Sequence, residues 1–440
     1  MMTTESEPVN AVDFTNGNAM QEPHQPHRRR SSVTTAAALA HEQLHDFQEK
    51  YSLLDPGNHP ASHFEPHMSP TRFKIRSWLA KYMSTQSPSL AKWQRRHRTT
   101  LRDIYFSYTS LLGSHTFYVL CLPTPVFWGY FEQTKDMVYI FGWTIYWTGF
   151  IKDYLCLPRP RSPPVHRIAL SEYTTKEYGA PSSHTANAVG VSLYGLYQLI
   201  KTPTGSWLGT SASVAGIGLY CASMVVGRVY CGMHGLVDLI SGALVGVTCF
   251  AVRLAMKSIS SKAGIGLDAG VAHWWTPIVS ITWNLYLLLY AQPEPVDECP
   301  CFDDSVAFVG VISGVECCEW FIRWFGFQLA FGYQKGSPWT MVMKRLAVGV
   351  PLVVLWKYVV SKPLVSFILL KVLRLKDDKL ETQEERDKSE DTNSAVITEC
   401  PPYRPRSRIN ILTRFFVYAG IPAAVLLVSP PIVHLLTGKV

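Results

Sequence analysis

No asparagine in this 440-residue chain opens an Asn-x-Ser/Thr triplet, so N-linked glycosylation offers no marker of membrane side. Internal repeats are missing too, which excludes solenoid and propeller architectures. The ten cysteines keep no zinc-ligand spacing. Cys299-Pro-Cys301 and Cys317-Cys318 are not zinc knuckles, and most of the others stand singly in apolar blocks, where cysteine packs as a small hydrophobe. Cys299 is a candidate for pairing with another cysteine if its loop faces an oxidising lumen. No carboxylate cluster suits Mg²⁺; Asp303 and Asp304 stand in a loop remote from the other ionisable motifs. No metal and no cofactor are therefore expected. The N-terminus lacks the apolar run of a cleaved signal peptide, so the first span is expected to act as the targeting signal, and the ending "LTGKV" carries no retention signal.

Charge is sparse, 17% of residues, with a net +8. Basic residues gather beside apolar blocks, as in "KWQRRHRTTLR" at 92–102, and read as headgroup contacts, not as a nucleic-acid surface. Apolar residues make up 47% of the chain, and their distribution is uneven. About 20 apolar residues cross a hydrocarbon core of about 30 Å. Blocks of that kind recur near 104–122, 137–156, 185–201, 206–226, 236–254, 271–291, 305–322 and 346–360, with a ninth near 413–436. The pattern predicts an all-α polytopic membrane helical bundle of about 8–9 transmembrane helices. It also predicts a polar, largely disordered region over 1–100 with a basic juxtamembrane segment, a core over 101–372, a charged loop over 373–410 and a last transmembrane helix over 411–440. "HRRRSSV" at 27–33 sets basic residues before Ser31 and Ser32, the pattern of a kinase target or of a solvated basic tail.

Three short stretches carry chemistry. In "KDYLCLPRPRSPP" (152–164), Lys152 and Arg159 are seven residues apart, and the flanking prolines stiffen the backbone beneath a guanidinium able to grip phosphate by two bonds. In "EYGAPSSHTANAVG" (177–190), Pro181 and a serine, Ser182 or Ser183, mark a helix start whose free N–H groups favour an anion, with His184 in the first turn. In "GRVYCGMHGLVDLISG" (227–242), His234 and Asp238 stand at i and i+4. There the carboxylate fixes the imidazole tautomer and leaves the other ring nitrogen free to attack. The first stretch follows a span, the second precedes one, and the third joins two, so all three emerge on one membrane face.

These stretches resemble the three signatures of the type 2 phosphatidic acid phosphatase superfamily, K-x6-R-P, P-S-G-H and S-R-x5-H-x3-D. The longer strings "CLPRP", "EYGAPSSH" and "YCGMHGLVD" look closest to its sphingosine-1-phosphate phosphatase branch, the long-chain-base phosphate phosphatases of fungi. Ser183 stands where the pattern has Gly, and Gly227 where it has Ser, which puts one hydroxyl contact to phosphate in doubt. The resemblance implies a lipid phosphatase acting on sphingoid-base 1-phosphates. His234 would be the nucleophile, Asp238 its orienting base and His184 the acid for the leaving alkoxide. Lys152, Arg159, Ser182, Ser183 and Arg228 would hold the phosphate. It also implies residence in the endoplasmic reticulum. A lipid phosphotransferase on the same helices shares the covalent step and stays open; a transporter would place its charges mid-span, not at span ends.

Which face carries the site is read from flanking charge. Arg253, Lys257 and Lys262 after the fifth block suggest cytosol, and the acidic "QPEPVDECPCFDD" (292–304) suggests lumen. Recognition of a substrate ammonium needs a carboxylate, and the loop between the first two motifs holds only Glu172 and Glu177. Either one faces that amine, aided by Tyr173 or Tyr178, or both pair with Lys176 or Arg167 in a solvated loop.

Overall fold

A computed structural model describes residues 55–170, 172–327, 333–378 and 406–438, and within them every side chain except those of 115, 116, 172 and 173. Ser31, Ser32 and the insert from 379 to 405 lie outside the described residues. The principal helices are α1 (Pro70–Ser84), α2 (Gln86–His97), α3 (Thr100–Thr109), α4 (His115–Cys121), α5 (Phe131–Leu155), α6 (Ser183–Lys201), α7 (Trp207–Tyr230), α8 (Leu236–Ala263), α9 (Thr276–Ala291), α10 (Cys301–Trp324), α11 (Trp339–Val372) and α12 (Arg408–Thr437). No strand occurs among the described residues. Five helices, α7, α8, α10, α11 and α12, are both long and apolar enough to cross a membrane. α5 is long enough, 25 residues, but carries Lys135, Asp136, Lys152 and Asp153, all buried. Neighbouring helices rather than lipid cover those charges. With α6 and the shorter α9, these helices form an all-α polytopic membrane bundle.

The expected span over 104–122 is not one helix. α3 ends in a 3₁₀ turn at Ser110–Gly113; Ser114 then accepts the N–H of Phe117 at 3.2 Å and starts α4, and a four-residue helix follows at Thr124–Phe127. Gly113 and Ser114 interrupt a run whose apolar composition looked continuous, and Pro123 and Pro125 stand just beyond it at the start of the four-residue helix. The halves do different work. α3 packs at the motif end of α7, with Tyr105 Oη 2.6 Å from Ser223 Oγ and Tyr230 Oη donating to Asp103 at 2.6 Å. Phe127, near the opposite end, gives its carbonyl to Arg345 at 3.0 Å. Gly113 lies against the His184 ring and Phe127 against Gly349 of α11, so the stretch between them leads from the motif residues to α11. The block expected at 346–360 is the middle of the longer α11.

Small residues let helices meet backbone to backbone. A Cβ on Gly242 of α8 would lie 2.5 Å from the carbonyl oxygen of Ser182, and one on Gly246 2.4 Å from that of Ala186. α8 and α6 are therefore fixed in register at the end where both carry motif residues. The far end is held by charge. Arg253 pairs with Asp136 (2.6 Å) and Asp268 (2.5 Å), Lys257 with Asp136 (2.7 Å), and Lys135 with Glu319 (3.1 Å). This corrects the reading of Arg253 and Lys257 as topology markers. They neutralise carboxylates inside the bundle, so their charge says little about membrane side.

Residues 55–100, read from composition as part of a polar tail, supply helices that roof the motif loops. The Gly57 N–H donates to Asp297 at 2.7 Å, and Arg167 makes two bonds to Asp55, at 2.9 and 2.8 Å. Gln94 donates to the carbonyls of His166 (2.9 Å) and Tyr230 (2.8 Å) and accepts the His166 N–H (3.0 Å). Of the basic run, Lys92, Arg95 and Arg96 stay exposed, while Arg98 pairs with Asp103 at 2.8 Å. Cys299 pairs with Cys301 in the loop before α10.

Candidate active site

The site is built where three helix ends meet. α5 stops at Cys156, which takes the left-handed conformation (φ 49°), and the proline-rich run after it cannot continue the helix. That leaves Lys152 in the last turn and Arg159 just beyond, 2% and 4% exposed. α6 begins at Ser182, whose hydroxyl accepts the Thr185 N–H at 3.4 Å. α7 carries Arg228 in its last turn. Its carbonyl accepts the N–H groups of Met233 (3.0 Å) and His234 (3.3 Å), folding Cys231–Gly235 into a tight loop with Gly232 at φ 65°. That loop sets His234 beside Arg228, and α8 then delivers Asp238. One Asp238 oxygen, Oδ2, accepts the Gly235 N–H at 2.9 Å and lies 3.2 Å from His234 Nδ1. The pairing at Nδ1 leaves Nε2 with its lone pair directed away from the carboxylate.

A cavity of about 580 Å³ opens among these ends. Lys152, Glu177, Ser183, His184, Arg228 and Asp304 contribute its polar wall, which corrects the reading of Asp304 as remote from the motifs, and apolar side chains from α4 and α5, among them Phe117, Tyr118 and Ile145, line the remainder. The Nε of Arg228 is buried without a hydrogen-bond partner among the described residues. His234 is 2% exposed; burial and then the charges of Arg159, Lys152 and Arg228 hold its imidazolium form well below the ordinary histidine range. It is therefore neutral, as attack requires. Burial pushes Arg159 down to about 10, which leaves it charged at neutral pH.

The structure gathers Lys152, Arg159, Ser183, His184, Arg228, His234 and Asp238 as the spacing implied, and it corrects three details. Ser182 does not present its groups to the cavity: its hydroxyl caps α6 and bonds Thr185 Oγ1 at 3.1 Å, and its N–H donates to the Asp238 carbonyl at 2.9 Å. The helix-start amides left for an anion are those of Ser183 and His184. Glu177 does not pair with Lys176 or Arg167. Its Oε2 is 2.5 Å from Lys152 Nζ and 3.7 Å from Arg159 Nη2, inside the cationic cluster. The missing serine at 227 costs no phosphate contact, since a Cβ there would face the Phe106 ring at 3.1 Å. Glu172 opens the short helix Glu172–Thr175, and its side chain lies outside the described residues.

Sequence reasoning missed several groups. Gly113 packs against His184 so closely that a Cβ would come within 2.3 Å of the ring. Gln86 accepts the Leu236 N–H at 2.9 Å and so holds the start of α8. Met233 gives its carbonyl to Arg159 at 3.4 Å. Only Gly113, lying between two serines inside an apolar block, left a readable trace; the glutamines carry none.

The sequence profile of the PAP2 superfamily matches residues 133–261, the stretch that contains all three helix-end motifs. The chain belongs to that superfamily, in its sphingoid-base phosphate phosphatase branch. A dihydrosphingosine 1-phosphate phosphatase of Saccharomyces cerevisiae is 46% identical over 381 residues, covering 87% of this chain and 91% of the relative. A dihydrosphingosine 1-phosphate phosphatase of Schizosaccharomyces pombe is 31% identical, covering 80% and 88%. Lipid phosphate phosphatase delta of Arabidopsis thaliana is 29% identical, covering 68% and 71%. No solved structure matches the chain.

Proposed function

We propose that the protein hydrolyses sphingoid long-chain-base 1-phosphates to the free base and phosphate, through a phosphohistidine and without a metal. The carrying observation is the His234–Asp238 pair. Nδ1 is engaged by Oδ2 at 3.2 Å, which leaves Nε2 as nucleophile beside a cavity walled by Lys152, His184 and Arg228. Nε2 attacks phosphorus, the bond to the ester oxygen breaks, and His184, having taken a proton from the bound phosphate monoester, gives it to the departing alkoxide. Water then attacks the phosphohistidine, gives a proton to His184, and releases inorganic phosphate and neutral His234. Lys152, Arg159, Arg228 and the amides at the start of α6 hold the phosphate oxygens and the charge that builds on them.

The apolar part of the cavity suits the chain of an amphiphile, and the relatives' substrates name the class of headgroup. The endoplasmic reticulum is the membrane that the family resemblance favours. The purified protein in detergent, given radiolabelled dihydrosphingosine 1-phosphate with and without an added lipid alcohol, should release free phosphate and free base in equal amounts. A labelled phosphomonoester of the added alcohol, formed in place of free phosphate, would establish a phosphotransferase instead.

A further inference from the structure

Lys152 and Arg159, two of the three cations placed for phosphate, already share an anion. Glu177 Oε2 lies 2.5 Å from Lys152 Nζ and 3.7 Å from Arg159 Nη2, and its side chain is 12% exposed, in the wall of the same cavity as His184 and Arg228. A carboxylate oxygen is the same kind of acceptor as a phosphate oxygen, so both cannot hold the Lys152 ammonium at full strength. The backbone of Glu177 is fixed, because its carbonyl accepts the Arg159 Nε–H at 2.7 Å. Release of the carboxylate from Lys152 therefore requires only a change of side-chain rotamer at Glu177, with its backbone in place. Arg228, with its buried Nε unpartnered, offers the incoming phosphate a first grip on the opposite side.

We propose that Glu177 is an internal counter-ion which the substrate's phosphate displaces from Lys152 and the substrate's ammonium then takes over. The inference rests on the sphingoid-base reading above. A displaced carboxylate in a largely enclosed site is costly unless a new cation meets it. A sphingoid-base phosphate carries its ammonium on the carbon next to the ester carbon, within a side chain's reach of the phosphate. Phosphatidate and N-acylated sphingoid phosphates bring no such cation and leave Glu177 unmatched. Selection for the amine then arises from an exchange of ion pairs, and an empty site is kept closed to stray anions by its own glutamate.

The test uses the full-length protein as wild type, Glu177→Gln and Glu177→Ala, with dihydrosphingosine 1-phosphate, its N-acetyl derivative and inorganic vanadate. Removing the internal competitor should tighten vanadate inhibition about tenfold or more, the weight of one charge-assisted hydrogen bond. The preference in kcat/KM for the free amine over the N-acetyl lipid should meanwhile fall about tenfold, towards parity. A merely structural ion pair predicts the opposite sign for vanadate, since Lys152 and Arg159 would lose their orientation; weaker inhibition in both variants overturns the proposal. An unchanged amine preference overturns it as well. If neither variant folds, equal kcat/KM of the wild type on the two lipids does so. Failure of the wild type on both lipids would instead overturn the functional reading, and vanadate affinity measured directly by calorimetry would still report whether Glu177 competes with an anion.

Discussion

The N–H of Ser182 donates to the carbonyl of Asp238 across 2.9 Å, so the cap of the helix proposed to receive the phosphate hangs on the residue proposed to orient the nucleophile. Gly242, one turn along α8, touches the Ser182 carbonyl and permits that approach. The proposed acid, anion cradle and nucleophile therefore share one helix–helix contact, and a disturbance there should reach all of them.

Gly242→Val tests this directly. Its Cβ would lie 2.5 Å from a backbone oxygen that cannot rotate away, so α8 or α6 must shift. Overpacking of this kind costs about 1–3 kcal/mol. Protein that still folds should show a lowered Tm and a kcat reduced more than KM is raised. An unchanged kcat would mean that the Ser182–Asp238 contact does not position the reacting groups.

His234→Ala should abolish turnover and the acid-labile phosphoenzyme seen on rapid quench with labelled substrate. His184→Ala should lose about 10²–10⁴-fold on an alkyl phosphate, the usual worth of general acid catalysis, and much less on a p-nitrophenyl ester whose leaving group needs no proton. Equal losses on both esters would remove His184 from the acid role.

Arg228→Lys keeps the charge and loses the fork. If both guanidinium arms hold the phosphorus oxygens in the transition state, kcat/KM should drop about 10²-fold, as for loss of one oxyanion donor. Near-normal kinetics would show that a point charge suffices.

EDTA should leave activity intact, and vanadate should inhibit by adopting the five-coordinate geometry of phosphorus under attack. Activity lost in EDTA and restored by Mg²⁺ would overturn the metal-free route.

Gln94→Ala checks the roof. One buried amide satisfies the N–H and carbonyl of His166 and the carbonyl of Tyr230. Leaving them unpaired should cost about 1–3 kcal/mol and lower Tm. Activity should fall as well if the roof holds the loop that carries His234. A lowered Tm with unchanged kcat would confine α2 to a structural part.

The bundle, and a proposal for its chemistry, were legible in the residues alone. Residue type and spacing put two histidines, a carboxylate and three cations at span ends, and parity of crossings suggested one face for them. Both are local facts: i,i+4 geometry is set by one helix, and a stretch of about 20 apolar residues reports its own membrane preference. Tertiary structure alone decided the partners. Composition reads 104–122 as one apolar run, yet short-range capping at Ser114 breaks it, and residues on both sides of the break become part of the site's wall. Flanking charge reads Arg253 as a cytosolic marker, but Asp136, from a helix more than a hundred residues earlier, consumes it. Glu177 is likewise ambiguous in the sequence, because the cation that claims it depends on where α5 ends. Charges choose their partners by distance in space, which the order of residues along the chain does not encode.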